Sequence, residues 1–298
     1  MNLHRLAKKF LDTPPRGIYY ELRAKWFKAQ ALPAFDDLRP AVFVLSTGRV
    51  GTETLDALLQ LAENLFSYHE PTPTLYRLSK AAYQHETNPL AKEILTQSFL
   101  AARQDLLDYS LKGGKGYAET SPQVTFLAPV IAEALPQARF IHLVRDPRDV
   151  VRSGMRRKWY AGHSYDATRI TPRPQDSAAS LWGAYAPFEK NLWLWNETNR
   201  WILSFMENLA AAQKITLRAE DLFAGKESVL AQLYQFVAAP TPSASALKKI
   251  LGKKLNAQRS GDFPAAAGWT DEQAQSLQEM TGKTARALGY SLEEPRPA

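Results

Sequence analysis

The chain has 298 residues, of which 37 are Lys or Arg and 30 are Asp or Glu, so its formal charge is +7; 45% are hydrophobic and none is Cys. The length is enough to bury a sizeable core, and the lack of Cys excludes a disulfide scaffold, a thiolate nucleophile and any Cys-ligated zinc or iron–sulfur site. The basic excess favours anionic ligands, and no apolar run reaches the roughly 18 residues a membrane helix needs.

Residues 1–38 read as a basic, helical N-terminal segment. It has neither the apolar stretch nor the small-residue cleavage site of a secretory signal, so the expectation is a cytoplasmic protein. Within it, 3–28 mixes Lys and Arg with Leu, Phe, Tyr19, Tyr20 and Trp26. That composition suits peripheral contact with an anionic membrane, although Pro14–Pro15 interrupts the apolar face.

Residues 41–45 (AVFVL) are a short apolar run ending at Ser–Thr–Gly, the pattern of a buried strand. Leu55, Leu58, Leu59 and Ala62 give 52–64 helical spacing. A second strand is predicted at 65–68, mostly helix over 74–110 with a break at Asn88–Pro89, a third strand at 116–119 and a helix over 123–135. Residues 139–144 (RFIHLV) give the strongest strand signal, followed by a polar turn and a helix from Arg148. One or two long helices are predicted within 176–212, a last strand at 215–218, helices over 227–238, 243–251 and 271–288, and a disordered tail at 293–298. Strands alternating with helices predict an α/β fold, a three-layer sandwich about a mainly parallel sheet. It forms one domain over 39–292, with ligands at the carboxyl ends of the strands.

Two segments carry chemistry. In 42–55 (VFVLSTGRVGTETL) a strand ends, Gly48 and Gly51 shape a tight loop, and a helix starts at Thr52. Glycines let the backbone take left-handed angles, and loop and helix N–H groups then converge as an anion site. Arg49 adds a cation, and Ser46, Thr47, Thr52 and Thr54 add hydroxyls. A plain tight turn is the alternative, and a Walker A loop is excluded because no Lys follows Gly51.

In 139–155 (RFIHLVRDPRDVVRSGM) a strand delivers Arg145 at its carboxyl end, Asp146–Pro147 suits a helix start, and Ser153 follows roughly two turns into the helix. An Arg fork and a hydroxyl can hold one phosphate. The alternative is a surface helix whose Arg145 pairs with Asp146 or Asp149.

Together the segments resemble the sulfotransferases that use 3′-phosphoadenosine-5′-phosphosulfate (PAPS) as donor, a family of P-loop NTPase-like fold. STGRVGTETL is similar to that family's 5′-phosphosulfate loop, and VRDPRDVVRSGM to its 3′-phosphate motif. The resemblance spans about 41–290. It implies donor contacts from Thr47, Gly48, Arg49, Val50, Gly51, Thr52, Glu53 and Thr54, with Arg49 at the bridging oxygen, and from Arg145 and Ser153 at the 3′-phosphate. Glu53 departs from the family's hydroxyl residue. Residues 217–223 (LRAEDLF) and 256–269 look like later family segments, the second offering Arg259, Ser260 and Gly261 to the nucleotide.

Sulfuryl transfer then needs a general base for a hydroxyl acceptor. Glu70 in YHEP (68–71) is the first choice because related sulfotransferases place a carboxylate nearby; His69 is the second, with an imidazole suited to neutral pH, and Glu119 a third. In 117–122 (YAETSP) Thr120 replaces a family Lys, whose charge Lys115 or Arg16 could supply. Trp159, Trp182, Trp193, Trp195 and Trp201 read as core or as a stacking surface for a carbohydrate, lipid or other small acceptor. The His spacing suggests no metal site, and no helix-turn-helix, zinc-finger or RNP pattern points to nucleic acid. A P-loop-type kinase and a non-catalytic binder of sulfated glycan or anionic lipid are the competing functions.

Overall fold

The computed structural model describes residues 39–252 and 261–293. The N-terminal segment 1–38, with Arg16, lies outside the described residues, as do Arg259, Ser260 and the tail beyond 293.

The described residues form five strands, the central ones on apolar runs. They are β1 (Ala41–Leu45), β2 (Leu65–Tyr68), β3 (Gly116–Glu119), β4 (Ala138–Val144) and β5 (Lys214–Arg218). Every residue of β1 is buried, as a central strand covered on both faces requires. The sheet order is β2-β3-β1-β4-β5, and every pairing is parallel.

Alternate residues of β1 face different layers. Val42 and Val44 join a core with Leu55, Leu58 and Leu59 of α1 (Thr52–Leu59). Phe43 faces the other way, its ring 6.0 Å from Phe99 and 6.1 Å from Phe140. Phe99 belongs to α3 (Pro89–Lys112), so helices cover both faces of the sheet.

The remaining α-helices among the described residues are α2 (Tyr76–Gln84), α4 (Ala128–Ala134), α5 (Pro147–Arg156), α6 (Pro187–Glu207), α7 (Ala219–Phe223), α8 (Glu227–Phe236), α9 (Ala244–Leu251) and α10 (Asp271–Ala287). Their ends follow local chemistry. Asn88 caps α3 by accepting from the N–H groups of Leu90 and Ala91, and Asp146 caps α5 through the N–H of Arg148, with Pro147 in the first turn. Thr270 and Gln273 form a reciprocal capping box on α10.

Two helix expectations change. The long helix predicted from 176 begins only at Pro187, after a run of turns, with Ala186 held extended; a proline disfavours helical geometry in the residue before it. The helix predicted over 123–135 divides into a 3₁₀ turn, Pro122–Leu127, and α4. Among the described residues, no helix is long and apolar enough to cross a membrane.

Candidate functional site

The connection from β1 through α1 leads to β2 and skips the position that β3 then fills; the crossover after that, β3 to β4, passes to the other side of β1. This reversal opens a crevice at the carboxyl ends of the strands. A cavity of about 870 Å³ lies there, lined by both sequence motifs and by His69 and Glu70.

The loop after β1 is wound left-handed at Gly48 (φ 79°), Arg49 (φ 60°) and Gly51 (φ 92°). Gly51 caps α1 with no side-chain bond. The first-turn N–H groups, which a helix cannot pair internally, therefore open on the part of the cavity that Thr52, Glu53 and Thr54 line. Ser46 ties the loop down: its N–H donates to Thr125 Oγ1, and its hydroxyl accepts from the N–H of Gly48. Val50 turns its side chain into the core, leaving its backbone to the loop.

The strand register brings the second motif alongside. Leu45 pairs with His142, so the loop after β1 and Arg145 after β4 leave the sheet side by side. Arg49 Nε donates to Ser153 Oγ at 3.0 Å, joining the two motifs directly. Arg145 Nη1 reaches the Arg49 carbonyl at 3.4 Å, while its Nε and Nη2 hold Asp149 Oδ2. Of the two carboxylates weighed for Arg145, Asp149 is the partner; Asp146 pairs with Arg148 at 2.7 Å.

Arg157, at the end of α5, lines the same cavity. Burial, then the charges of Arg157 and Arg145, push the Arg49 guanidinium down to about 10, against a weaker upward pull from Glu70 and Glu53. Three guanidinium groups held this close repel one another, and the arrangement is matched to an anion of more than one charge. The Arg145 carbonyl is fixed from behind by Trp195 Nε1 at 2.9 Å, and the N–H of Asp146 by Glu220, which Tyr290 also holds.

On the other side of the cavity, β2 ends in His69 and Glu70. His69 Nδ1 lies 2.7 Å from the carbonyl of Thr120 and 3.1 Å from its hydroxyl. A carbonyl only accepts, so Nδ1 carries the proton and Nε2 holds the lone pair. Glu70 is exposed, sits at φ 44°, and accepts from the Tyr76 hydroxyl at 3.3 Å. Glu119 is elsewhere: fully buried, it is held by Arg103 at 2.8 and 2.9 Å and by Tyr117 at 2.7 Å. Lys115 sits over the Phe66 ring, away from the cavity.

The outer wall was not foreseen. Tyr76 and Lys80 of α2 line it, opposite Tyr165, Thr168 and Arg169. Tyr76 and Tyr165 have ring centroids 5.5 Å apart, Lys80 Nζ donates to the Ala167 carbonyl, and Arg169 stacks on Trp159 at 3.9 Å. Tyr76 and Lys80 stand four residues apart on one helix, a spacing that puts them on one face and could have flagged the pair. Of the five tryptophans considered, Trp159 lines the cavity, while Trp193, Trp195 and Trp201 are core. Gly261 lies against α5, its carbonyl accepting from Arg156 Nε at 2.9 Å. Among the described residues, no group of three or more His, Asp or Glu side chains is arranged to hold a metal.

The profile of the Sulfotransferase family matches residues 40–243. The structure is similar to the sulfotransferase STF9 from Mycobacterium avium at 14% identity and a TM-score of 0.51, over 87% of this chain and 79% of that one. It is also similar to the sulfotransferase domain from the curacin biosynthetic pathway (19% identity, TM-score 0.49, 85% and 99% of the two chains). Mouse sulfotransferase SULT7A1 complexed with PAP is a third (15%, 0.47, 86% and 88%). No curated protein sequence matches the chain.

Proposed function

Because the chain belongs to the sulfotransferase family, we propose that it moves a sulfuryl group from PAPS to a hydroxyl of a carbohydrate, lipid or other small acceptor. The observation that carries this reading is the convergence of Arg49, Arg145 and Ser153 at one end of the cavity, with Arg157 beside them. A donor with a phosphosulfate and a separate phosphate matches the positive charge gathered at this end of the cavity. The loop N–H groups and Arg49 receive the phosphosulfate, and Arg145 and Ser153 the 3′-phosphate, as Arg145 exchanges Asp149 for the ligand.

The reaction is an in-line displacement. The acceptor oxygen forms a bond to sulfur, the bond from sulfur to the phosphate oxygen breaks, and the nucleotide leaves as 3′-phosphoadenosine-5′-phosphate (PAP). Positioning and charge stabilisation supply most of the rate, as in phosphoryl transfer. Arg49 neutralises charge growing on the leaving oxygen. The acceptor proton goes to a base, and geometry reverses the order of the sequence candidates. His69 has its lone pair on Nε2 and its ring anchored, whereas Glu70 is exposed and shares its carboxylate with Tyr76. The Trp159, Tyr76 and Tyr165 rings on the outer wall suit a ring-bearing acceptor.

Isothermal titration with PAP, ATP and AMP tests the donor site. PAP is expected to bind more tightly than AMP by a factor of about ten or more, the order of one charge-assisted contact, and Arg145→Ala to remove that difference. Equal affinity for PAP and AMP overturns the reading.

A further inference from the structure

Asp56 is a buried acid that the transfer reaction as described does not use. It sits on α1 beside Leu55, Leu58 and Leu59 and is 6% exposed. Ser67 Oγ donates to its Oδ1 at 2.5 Å, Gln60 Nε2 to its Oδ2 at 2.7 Å, and Thr120 Oγ1 to its Oδ1 at 3.4 Å. All three donors are neutral. Charge on His69, when its imidazole is protonated, also acts on it.

We propose that Asp56 is a positioning residue for the proton transfer, acting on His69 through the hydroxyl of Thr120; this rests on His69 being the base. The direction of every bond agrees. His69 Nδ1–H donates to the carbonyl and hydroxyl oxygens of Thr120. The hydroxyl of Thr120, its lone pair engaged, has its own proton within reach of Asp56 Oδ1 at 3.4 Å and of the Tyr68 carbonyl at 3.5 Å; the carboxylate, as the charged acceptor, is the stronger of the two. His69 Nε2 is left as the atom that takes a proton from the acceptor hydroxyl. When it does, the acceptor O–H bond breaks, an N–H bond forms on Nε2, and the imidazolium keeps its Nδ1 proton. Asp56 takes up no proton. Its negative charge, in surroundings of low polarity, offsets the new positive charge.

The electrostatics run in the same sense. Burial raises the Asp56 carboxyl above its ordinary range, while its hydrogen-bond donors and the charge on His69 pull it back. That interaction is reciprocal, so a charged Asp56 favours charge on His69. Among the described residues, the other ionisable groups around the imidazole include Glu70 beside it, Tyr68 on β2, Arg49, Glu53 and Arg157 on the cavity wall, Tyr76 and Lys80 on α2, and the group in which Tyr117 and Glu119 of β3 meet Arg103 of α3. Among the described residues, the hydrogen bonds of the ring both run from Nδ1–H to oxygens of Thr120. This placement also explains Thr120 itself: a hydroxyl there completes the link to Asp56, which a lysine could not.

The test needs no acceptor. The His69 ring is titrated by ¹⁵N NMR in protein with labelled histidine, its signals assigned by their loss in His69→Gln. Asp56→Asn is expected to move the His69 midpoint to lower pH by about half a unit to one unit, equivalent to a three- to tenfold change in proton affinity. Thr120→Val is expected to move it in the same direction, and Thr120→Ser to leave it in place. PAP affinity serves as the check of folding, and if Asp56→Asn fails that check the Thr120 pair carries the test. An unmoved midpoint in folded Asp56→Asn, or in folded Thr120→Val, overturns the proposal. Failure of His69→Gln to slow sulfuryl transfer from labelled donor into a mixed acceptor pool overturns the base assignment instead.

Discussion

Gly48 and Gly51 sit in the same left-handed loop, yet their surroundings differ enough to separate two costs. A Cβ at Gly48 would meet nothing nearer than Pro122 Cγ at 3.6 Å, ordinary contact, so an alanine there suffers only from φ 79°. At Gly51, φ is 92° and a Cβ would lie 2.0 Å from Phe223 Cζ, at the end of α7. Left-handed geometry costs an L-residue about 1–2 kcal/mol, and forcing a packed ring aside costs about 1–3 kcal/mol more. Denaturant titration should therefore find Gly48→Ala weakened by the first amount and Gly51→Ala by the sum. Gly51→Ala should also lose PAP affinity, because the displaced loop no longer presents the first turn of α1; equal losses for the two variants would contradict this account. The glycines were legible in the sequence because their spacing between a strand and a helix is a local signal. Phe223 was not, since its contact with the loop depends on how α7 returns to the sheet.

At the scale of elements, a fully buried ion pair joins α3 to β3. Arg103 is fully buried and bidentate on Glu119, with Tyr117 donating to the same carboxylate and the Pro73 carbonyl accepting from the guanidinium. Removing one member of such a pair leaves an uncompensated buried charge, worth about 3–5 kcal/mol, whereas replacing both by apolar groups is often close to neutral. Denaturation of Arg103→Met, Glu119→Leu and the double variant should show each single change strongly destabilising and the double change recovering most of the loss. Additive losses would mean the pair is not coupled. Sequence periodicity located β1, β2 and β3 to the residue, because short apolar runs bounded by polar turns have one reading. It did not find the Arg103–Glu119 pair, since neither residue marks its partner across helix and strand. It also extended the α6 helix back over 176–186, where Leu181 and Trp182 lie in turns before Pro187 and Leu181 is exposed. That the two basic motifs would share one end of the cavity was legible because strand, loop and helix stand together in each motif. The outer wall was not, because α2 and the segment around Tyr165 meet only in the folded chain.

For the whole molecule, β4 couples the site to the acid stability of the fold. Its carboxyl end delivers Arg145, and three residues earlier it carries His142, fully buried, with Nε2 2.8 Å from Asn199 Oδ1 on α6 and Nδ1 without a hydrogen-bond partner. Asn199 Nδ2 donates to the Trp195 carbonyl, so its oxygen is turned toward the ring and accepts the Nε2 proton. Burial lowers His142 from the ordinary 6.5 to about 4, against a smaller opposing effect of the bond to Asn199. Between those values the unfolded chain binds a proton that the folded chain refuses. The stability from this group is therefore complete above pH 6.5, is lost progressively as pH falls, and falls no further below about 4, a total of about 3 kcal/mol. His163, lowered by burial and by Arg169, adds the same sign, while Asp166, lowered chiefly by the backbone N–H of Tyr160 and by Arg169 against its own desolvation, loses its contribution only in more acid solution. Guanidinium unfolding at pH 7.5 and at pH 5 should give a markedly smaller stability at the lower pH for the native chain. His142→Gln, which keeps a polar partner for Asn199 but cannot take up the proton, should flatten most of that difference whatever its stability at pH 7.5. An undiminished slope in His142→Gln would place the acid sensitivity in other groups.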